Sequence, residues 1–234
     1  MTALEIRAKL KKLASKDKAK ILQRFFKTGP GQYGEGDVFH GITVPVLRAL
    51  VKEYDGIPLN EVACLIDSGM HEERLLALLM LVRAFTRGDA ALKKKIYELY
   101  LQNTKYINNW DLVDLSAPQI VGAYLADTSR KPLYALARSR DLWQRRIAIL
   151  STFTFIRQND FEDTLGISER LLADKHDLIH KAVGWMLRET GKRNIAVEEQ
   201  FLRSRYKNMP RTMLRYAIER FPEGKRKKYL RGEI

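Results

Sequence analysis

Apolar and polar residues alternate along the chain with the period of an α-helix, and the strict alternation typical of a half-buried β-strand is scarce. The clearest interruption is the glycine-rich segment 28–43, which we interpret as a loop, and the basic segment 223–234 is interpreted as a loosely ordered tail. The pattern predicts helices at about 2–14, 16–27, 43–54, 58–69, 71–86, 89–102, 108–126, 131–139, 141–157, 161–174, 177–190, 194–206 and 209–221.

The apolar faces of these helices indicate how they are arranged. Residues 71–86 are apolar on almost every side, so several neighbouring helices must cover them. Short helices joined by tight turns cannot bury their apolar faces singly, whereas stacked helical pairs can. We therefore predict an all-α fold, a curved α-solenoid of degenerate repeats that forms one domain over residues 1–222, followed by the tail 223–234. A compact irregular bundle is the alternative, because no clean repeat period is visible.

The formal net charge of +14 points to a polyanionic partner, because self-repulsion of that size is tolerated when such a partner exists. Nucleic acid is the commonest such partner, an anionic membrane surface is the second, and charge alone does not distinguish them. Between Lys181 and Arg231 the chain carries fifteen Lys or Arg against five Glu. This excess favours a patch that binds phosphates over a merely solvated basic surface.

Signals for a membrane or an oxidising compartment are missing from the pattern. The longest apolar run, Leu75–Val82, is far shorter than the roughly 20 residues that a membrane-spanning helix needs. The amino-terminal segment lacks the apolar core and cleavage site of a signal peptide. The single cysteine, Cys64, allows no intrachain disulfide and is interpreted as a small core residue. We expect a soluble, cytoplasmic protein, and we expect it to be a monomer.

The segment around Trp110 is the most suggestive candidate site. Trp110 and Asp114 are four residues apart and therefore share one face of a predicted helix. The face of an indole ring beside a carboxylate suits a cationic ligand. The residues alone favour a plainer interpretation, in which a buried tryptophan is followed by aspartates that cap the helix start, and Asp111 fits that cap better than Asp114.

Two further segments carry candidate residues. Arg145 and Arg146 lie on a helix whose other residues are largely apolar, so at least one of them is expected to reach the surface as a phosphate ligand, the alternative being a solvated pair. Gly184 precedes Trp185 inside a predicted helix, where a glycine costs about 1 kcal/mol relative to alanine. It indicates either a close approach of two helices or room for a ligand, and the packing interpretation is favoured.

Several other chemistries are not supported by the sequence. His176 and His180 have the spacing of a zinc-binding helix, but Asp177 is a short substitute for the glutamate base and no third ligand is evident. The loop 28–43 lacks the Lys-Ser/Thr of a phosphate-binding loop and does not follow a strand. No nucleophile motif of the serine or cysteine hydrolases is present. We therefore predict no metal site.

Taken together, the motifs resemble the AlkD-like DNA alkylation repair family. The resemblance rests on WDLVD at 110–114, WQRR at 143–146 followed by IAIL, and KAVGWMLRETGKR at 181–193, with a similar amino-terminal stretch at 36–48. It implies a superhelix of HEAT-like repeats whose concave basic face holds duplex DNA. It also implies a monofunctional DNA glycosylase for N3- and N7-alkylated purines that needs neither metal nor organic cofactor and does not flip the damaged nucleotide.

The resemblance also assigns roles to residues. The catalytic aspartate of the family falls on Asp114, its two DNA-facing tryptophans fall on Trp110 and Trp185, and its phosphate-binding arginine falls on Arg146. The other expected DNA-binding residues are Arg145, Lys181, Arg188, Lys192 and Arg193. Two different functions stay open beside the glycosylase: a non-catalytic helical-repeat protein that binds nucleic acid, and a protein-interaction scaffold whose basic face meets an acidic partner.

Overall fold

The structure, a computed structural model, describes residues 1–234 and confirms the all-α prediction. It contains no strand, and an isolated bridge joins Val38 to Met70. The helices of the amino-terminal half are α1 (Ala3–Leu13), α2 (Lys16–Phe25), α3 (Val44–Glu53), α4 (Leu59–Ile66), α5 (His71–Arg87), α6 (Ala90–Gln102) and α7 (Trp110–Asp114). The later helices are α8 (Ala123–Leu125), α9 (Lys131–Ala137), α10 (Leu142–Ser151), α11 (Phe153–Arg157), α12 (Glu162–Leu171), α13 (Asp177–Arg193), α14 (Ile195–Arg203), α15 (Arg211–Ala217) and α16 (Glu223–Arg231).

The chain divides into two compact units, Met1–Ile120 and Val121–Ile234. In the amino-terminal unit, α5 packs against α3, α4 and α6, and its buried residues occupy most of its surface, as its apolar pattern predicts. In the carboxy-terminal unit, α13 packs against α10, α11, α12, α14 and α15. Each unit is therefore a set of short helices stacked on one long central helix. That residues 1–222 form a single domain stays a prediction.

Two predicted long helices are interrupted. The predicted helix at 108–126 ends at Asp114 in α7, and Pro118–Gly122 then winds as a π-helix that leads into α8. Pro118 has no backbone N–H to continue the α-helical ladder, which accounts for the break. The predicted helix at 141–157 is divided into α10 and α11 at Thr152, whose hydroxyl donates to the Ile149 carbonyl at 2.7 Å.

Two smaller expectations are wrong. The tail beyond Pro222 is ordered as α16, because Tyr229 is buried against Tyr206 and Phe221 with ring centroids 5.2 and 5.6 Å away. The burial of this ring and the ion pair of Lys225 with Glu199 anchor the basic helix. Cys64 lies on the exposed side of α4 and is not a core residue. No helix combines the length and the apolar character required to cross a lipid bilayer.

Candidate functional site

The helix α7 carries Trp110 and Asp114 and begins at a buried cap. Asn109 is fully buried, and its side-chain oxygen accepts the backbone N–H of Trp110 at 2.9 Å. The cap is therefore Asn109, and the expectation that Asp111 occupies that position is wrong. Asp111 is the second residue of α7, and its carboxylate points into the protein, where it binds His71. Trp110 and Asp114 are both half-buried.

Trp110 and Asp114 line one cavity of about 480 Å³ in the amino-terminal unit. The walls of the cavity are mainly apolar and come from α2, the glycine-rich loop, the start of α3 and α5. Acidic groups are the exception, since Asp111, Asp114 and Glu72 all contribute to the lining. A planar or apolar group that carries positive charge is the ligand that such a lining suits, because carboxylates and ring faces both attract cations.

A stack of rings holds the indole of Trp110 in place. The ring of Phe26 lies nearly parallel to Trp110 with a centroid separation of 5.2 Å, and Phe39 stacks on Phe26 at 5.1 Å. The stack continues to the imidazole of His71, whose centroid is 4.5 Å from that of Phe39. Phe25 meets Trp110 edge-on at 5.9 Å and is 60% exposed. Offset stacks of this kind add specific geometry to ordinary burial.

Behind the ring stack lies a buried network of ionic hydrogen bonds centred on His71. Its Nδ1 is 2.8 Å from Asp37 Oδ2, and its Nε2 is 2.9 Å from Asp111 Oδ2. Arg74 donates to Asp37 Oδ1 at 2.5 Å, and the amide of Asn109 donates to Asp37 Oδ2 at 3.1 Å. Burial alone lowers the pKa of His71, but the hydrogen bonds and charges of Asp111 and Asp37 outweigh it and raise that pKa to about 9.

The first turn of α5 also fastens the glycine-rich loop. The carboxylate of Glu72 accepts the backbone N–H groups of His40, Gly41 and Ile42 at 2.8, 2.7 and 3.0 Å. The Nε2 of His40 lies 3.0 Å from Oε1 of Glu73. The three backbone bonds to Glu72 therefore make the loop a fixed wall of the cavity, because buried charge-assisted hydrogen bonds of this kind are strong and directional.

Trp185 lies in the carboxy-terminal unit, on the half-exposed face of α13. Its indole N–H donates to Glu189 Oε1 at 3.0 Å, and Phe153 lies 6.0 Å from it, centroid to centroid. The preceding residue, Gly184, is a packing glycine as favoured from the sequence, since a Cβ there would lie 2.4 Å from the Met213 carbonyl oxygen. The hydrogen bond to Glu189 thus orients the ring of Trp185.

The two arginines of α10 have different environments. Arg146 is 5% exposed, and its Nη1 donates to the backbone carbonyl of Leu178 at 2.6 Å. Arg145 is bound by Asp174, with Nε to Oδ2 at 2.6 Å, and its Nη1 donates to the carbonyls of Ser139 and Arg140. Both side chains hold neighbouring segments of the carboxy-terminal unit, and their role as phosphate ligands stays a prediction.

Most of the cations in the motif at 181–193 have acidic partners. Lys181 binds Asp177 at 2.7 Å, Lys192 binds Glu189 at 2.6 Å, and Arg188 binds both Glu189 and Glu219. Arg193 is exposed and has no acidic partner. Phosphates would therefore have to compete with carboxylates for three of these four side chains, which lowers the free energy gained for each contact.

His176 and His180, the pair with zinc-like spacing, serve the start of α13. The Nδ1 of His176 accepts the backbone N–H of Leu178 at 3.1 Å, and burial lowers the pKa of His176. The Nε2 of His180 lies 2.5 Å from the carbonyl oxygen of Asp174. The ring of His176 thus caps α13, and the ring of His180 ties the helix to the turn that precedes it.

The predicted site residues fall into two groups. Trp110 and Asp114 lie together in the amino-terminal unit, whereas Trp185, Arg146 and the other candidate cations belong to the carboxy-terminal unit. That the two groups form one surface stays a prediction. The residues that sequence reasoning missed are those that fix the tryptophans, namely His71, Asp37, Asn109 and Glu189.

Comparisons with known proteins agree with the resemblance. A profile of the family described as "DNA alkylation repair enzyme" matches residues 6–221. No curated protein matches the chain. Among solved structures, the chain is similar to a "Predicted DNA alkylation repair enzyme from Enterococcus faecalis" with 18% identity and a TM-score of 0.69, over 90% of this chain and 97% of that one. At that identity the likeness shows a shared fold. Because the profile covers nearly the whole sequence, the chain belongs to the DNA alkylation repair enzyme family.

Proposed function

We propose that this chain is a monofunctional DNA glycosylase that hydrolyses the N-glycosidic bond of N3- or N7-alkylated purines in duplex DNA. The observation that carries the proposal is the placement of Asp114. Its carboxylate lines an aromatic cavity next to the stacked indole of Trp110, in a chain of the DNA alkylation repair family. A carboxylate beside a ring face suits a substrate that becomes positively charged.

The chemistry needs a carboxylate but no general acid. A purine alkylated at N3 or N7 is already cationic and leaves as a neutral base, so no group has to protonate it. Cleavage of the C1′–N bond leaves positive charge on the deoxyribose, which a carboxylate stabilises in the transition state. Asp114 would supply this charge and accept a proton from the attacking water, which adds its oxygen to C1′.

The remaining candidates would bind and orient the DNA. Trp110 and Trp185 would contact the sugar and the cationic base through their ring faces and exclude water. Arg146 and Arg145, with Lys181, Arg188, Lys192 and Arg193, would contact phosphates, which fixes the position of the duplex without reading its sequence. We propose that the nucleotide is not flipped into a pocket, that water is the only co-reactant, and that the chain acts as a cytoplasmic monomer.

The decisive experiment is the release of 7-methylguanine and 3-methyladenine from methylated duplex DNA under single-turnover conditions. We expect Asp114→Asn to reduce the rate by at least about 100-fold, since loss of one group that stabilises transition-state charge has that order of effect. The affinity for duplex DNA should not fall, because the substitution removes a negative charge and no phosphate contact. The matched control is Asp17→Asn, which neutralises an exposed carboxylate of α2 and should leave the rate unchanged.

Two results would contradict the proposal. If the wild-type chain binds duplex DNA but releases no base, a non-catalytic nucleic-acid-binding protein is the better description. If it does not bind duplex DNA at low salt, an interaction scaffold for an acidic protein partner is favoured instead, because phosphate contacts should be strongest there.

A further inference from the structure

We infer that His71 is a positioning residue of the glycosylase reaction: as an imidazolium it ties the glycine-rich loop to the first turn of α7 and so fixes Trp110 and Asp114. The inference rests on the proposed function. His71 contributes to the cavity lining but is 1% exposed, and both of its ring nitrogens are engaged by carboxylates, so it has no free polar group to offer a substrate. Its effect on the reaction must therefore pass through the residues it holds.

The geometry requires both ring nitrogens of His71 to donate. Nδ1 faces a carboxylate oxygen of Asp37 at 2.8 Å, and Nε2 faces a carboxylate oxygen of Asp111 at 2.9 Å. An ionised carboxylate only accepts hydrogen bonds, whereas a neutral imidazole has one donor and one acceptor. Only the imidazolium satisfies both contacts at once. A neutral ring would place a lone pair against a buried carboxylate on one of its two sides.

The charged groups around His71 come from three elements. Asp37 belongs to the glycine-rich loop, Asp111 belongs to α7, and Arg74 of α5 binds the second oxygen of Asp37. The arginine and the imidazolium together balance the two aspartates. Burial raises the pKa of Asp37, but the hydrogen bonds and charges of His71 and Arg74 outweigh it and lower that pKa. Beside His71 and Asp111, the charged side chains that line the cavity are Glu72 and Asp114. Loss of the His71 proton would leave the two aspartates with one cation between them.

The consequence for the site follows from the position of Asp111. It is the residue next to Trp110 and precedes Asp114 by three positions, so it belongs to the same short helix. A helix of five residues has few hydrogen bonds of its own and depends on anchors at its ends. The contact of Asp111 with His71 and the burial of Asn109 are such anchors. Releasing the first should let the indole and the catalytic carboxylate drift from the reactive geometry.

The proposal predicts a specific pH dependence. In the wild-type chain the single-turnover rate should fall on the alkaline side with a midpoint near the pKa of His71, about 9. His71→Gln, which retains the size of the side chain but cannot become a cation, should lower the rate at neutral pH by about 10-fold or more, as small misplacements in an active site do. It should also abolish the alkaline limb, while the Kd for duplex DNA changes by less than about 3-fold, because the phosphate contacts lie elsewhere.

His40→Gln is the matched control. His40 is a second buried histidine, 7% exposed, on the same loop, and its ring pairs with Glu73 and forms no hydrogen bond to α7. A general loss of stability or of loop order would affect both variants alike. We expect His40→Gln to retain the wild-type rate and its alkaline limb, and both variants should show the helical circular dichroism of the wild type.

A measurement independent of activity completes the test. In chain labelled with ¹⁵N-histidine, both ring nitrogens of His71, assigned by their loss in His71→Gln, should have imidazolium shifts at about pH 7.5, well below the raised pKa. A neutral ring at that pH overturns the inference, and so does a His71→Gln variant that matches His40→Gln in rate and pH profile. If the wild-type chain releases no base at any pH, the proposed function itself is overturned.

Discussion

The imidazole of His71 shows how one buried residue gives the chain a dependence on pH. Its folded-state pKa of about 9 lies above the ordinary value of 6.5, so the folded chain binds its proton more tightly than the unfolded chain. The stabilisation is therefore complete below about pH 6.5 and is lost as the pH rises through about 9. The size of the shift corresponds to about 3 kcal/mol at most.

We therefore expect the free energy of unfolding of the wild-type chain, measured in urea, to decrease between about pH 6.5 and 9. The decrease should be smaller in His71→Gln, where only the contribution of Glu198, whose pKa burial raises to about 8, remains. The linkage must be the same whether or not DNA is cleaved, so this measurement needs no substrate. A wild-type chain whose stability stays constant over this interval would show that His71 is not a buried cation.

Single residues also show what the sequence can and cannot reveal. Spacing alone predicts that Trp110 and Asp114 share a helix face, because both lie within one turn. The partners of His71 are 34 and 40 residues away, and the run His-Glu-Glu-Arg at the start of α5 has the composition of an ordinary solvated helix start. Nothing local marks it as buried. That information exists only after the loop and α7 have been placed on α5.

At the scale of elements, α13 and α15 depend on a close approach at Gly184. A Cβ at this position would lie 2.4 Å from the Met213 carbonyl oxygen and 2.5 Å from the Tyr216 Cβ. Neither atom is the end of a flexible side chain, so the two helices must move apart to accept a larger residue. We expect Gly184→Ala to lower the free energy of unfolding by about 2–3 kcal/mol in urea or thermal denaturation, within the range seen for overpacked cores.

The control for that substitution is Gly224→Ala. Gly224 lies in α16, and a Cβ there meets nothing within 4 Å. Replacement of a helical glycine by alanine without a clash raises stability by about 0.5–1 kcal/mol through the unfolded chain. Equal effects of the two substitutions would mean that α13 and α15 are not in close contact.

The helix boundaries illustrate a further limit of prediction. Periodicity correctly predicts most helices but extends the segments 108–126 and 141–157 through breaks. The first break depends on Pro118 and the second on a side-chain hydrogen bond of Thr152 to the backbone carbonyl of Ile149, which competes with the helix. The prediction of a loosely ordered tail fails for the opposite reason. Its basic composition hides one aromatic anchor, Tyr229, whose partners lie elsewhere in the chain.

For the whole molecule, the net charge of +14 is the strongest guide to the class of partner, and it follows directly from the composition. The composition does not show which individual cations are paired. Arg145, Lys181, Arg188 and Lys192 all contact carboxylates in the folded chain, so a count of basic residues overstates the number available for phosphates. Only the folded arrangement shows which cations, such as Arg193, lack an acidic partner.

This distinction can be tested by the salt dependence of DNA binding. Each phosphate contact releases counterions and contributes about −0.9 to the slope of log K against log salt concentration. Arg193→Gln should therefore make the slope for duplex DNA shallower by about one unit, with a similar effect on damaged and undamaged duplexes, because phosphate contacts carry no base information. The control is Lys94→Gln, an exposed lysine of α6 in the amino-terminal unit that pairs with Glu98. If both substitutions change the slope equally, binding follows net charge and not a defined surface. A change confined to Arg193→Gln would assign the carboxy-terminal end of α13 to the DNA-binding face.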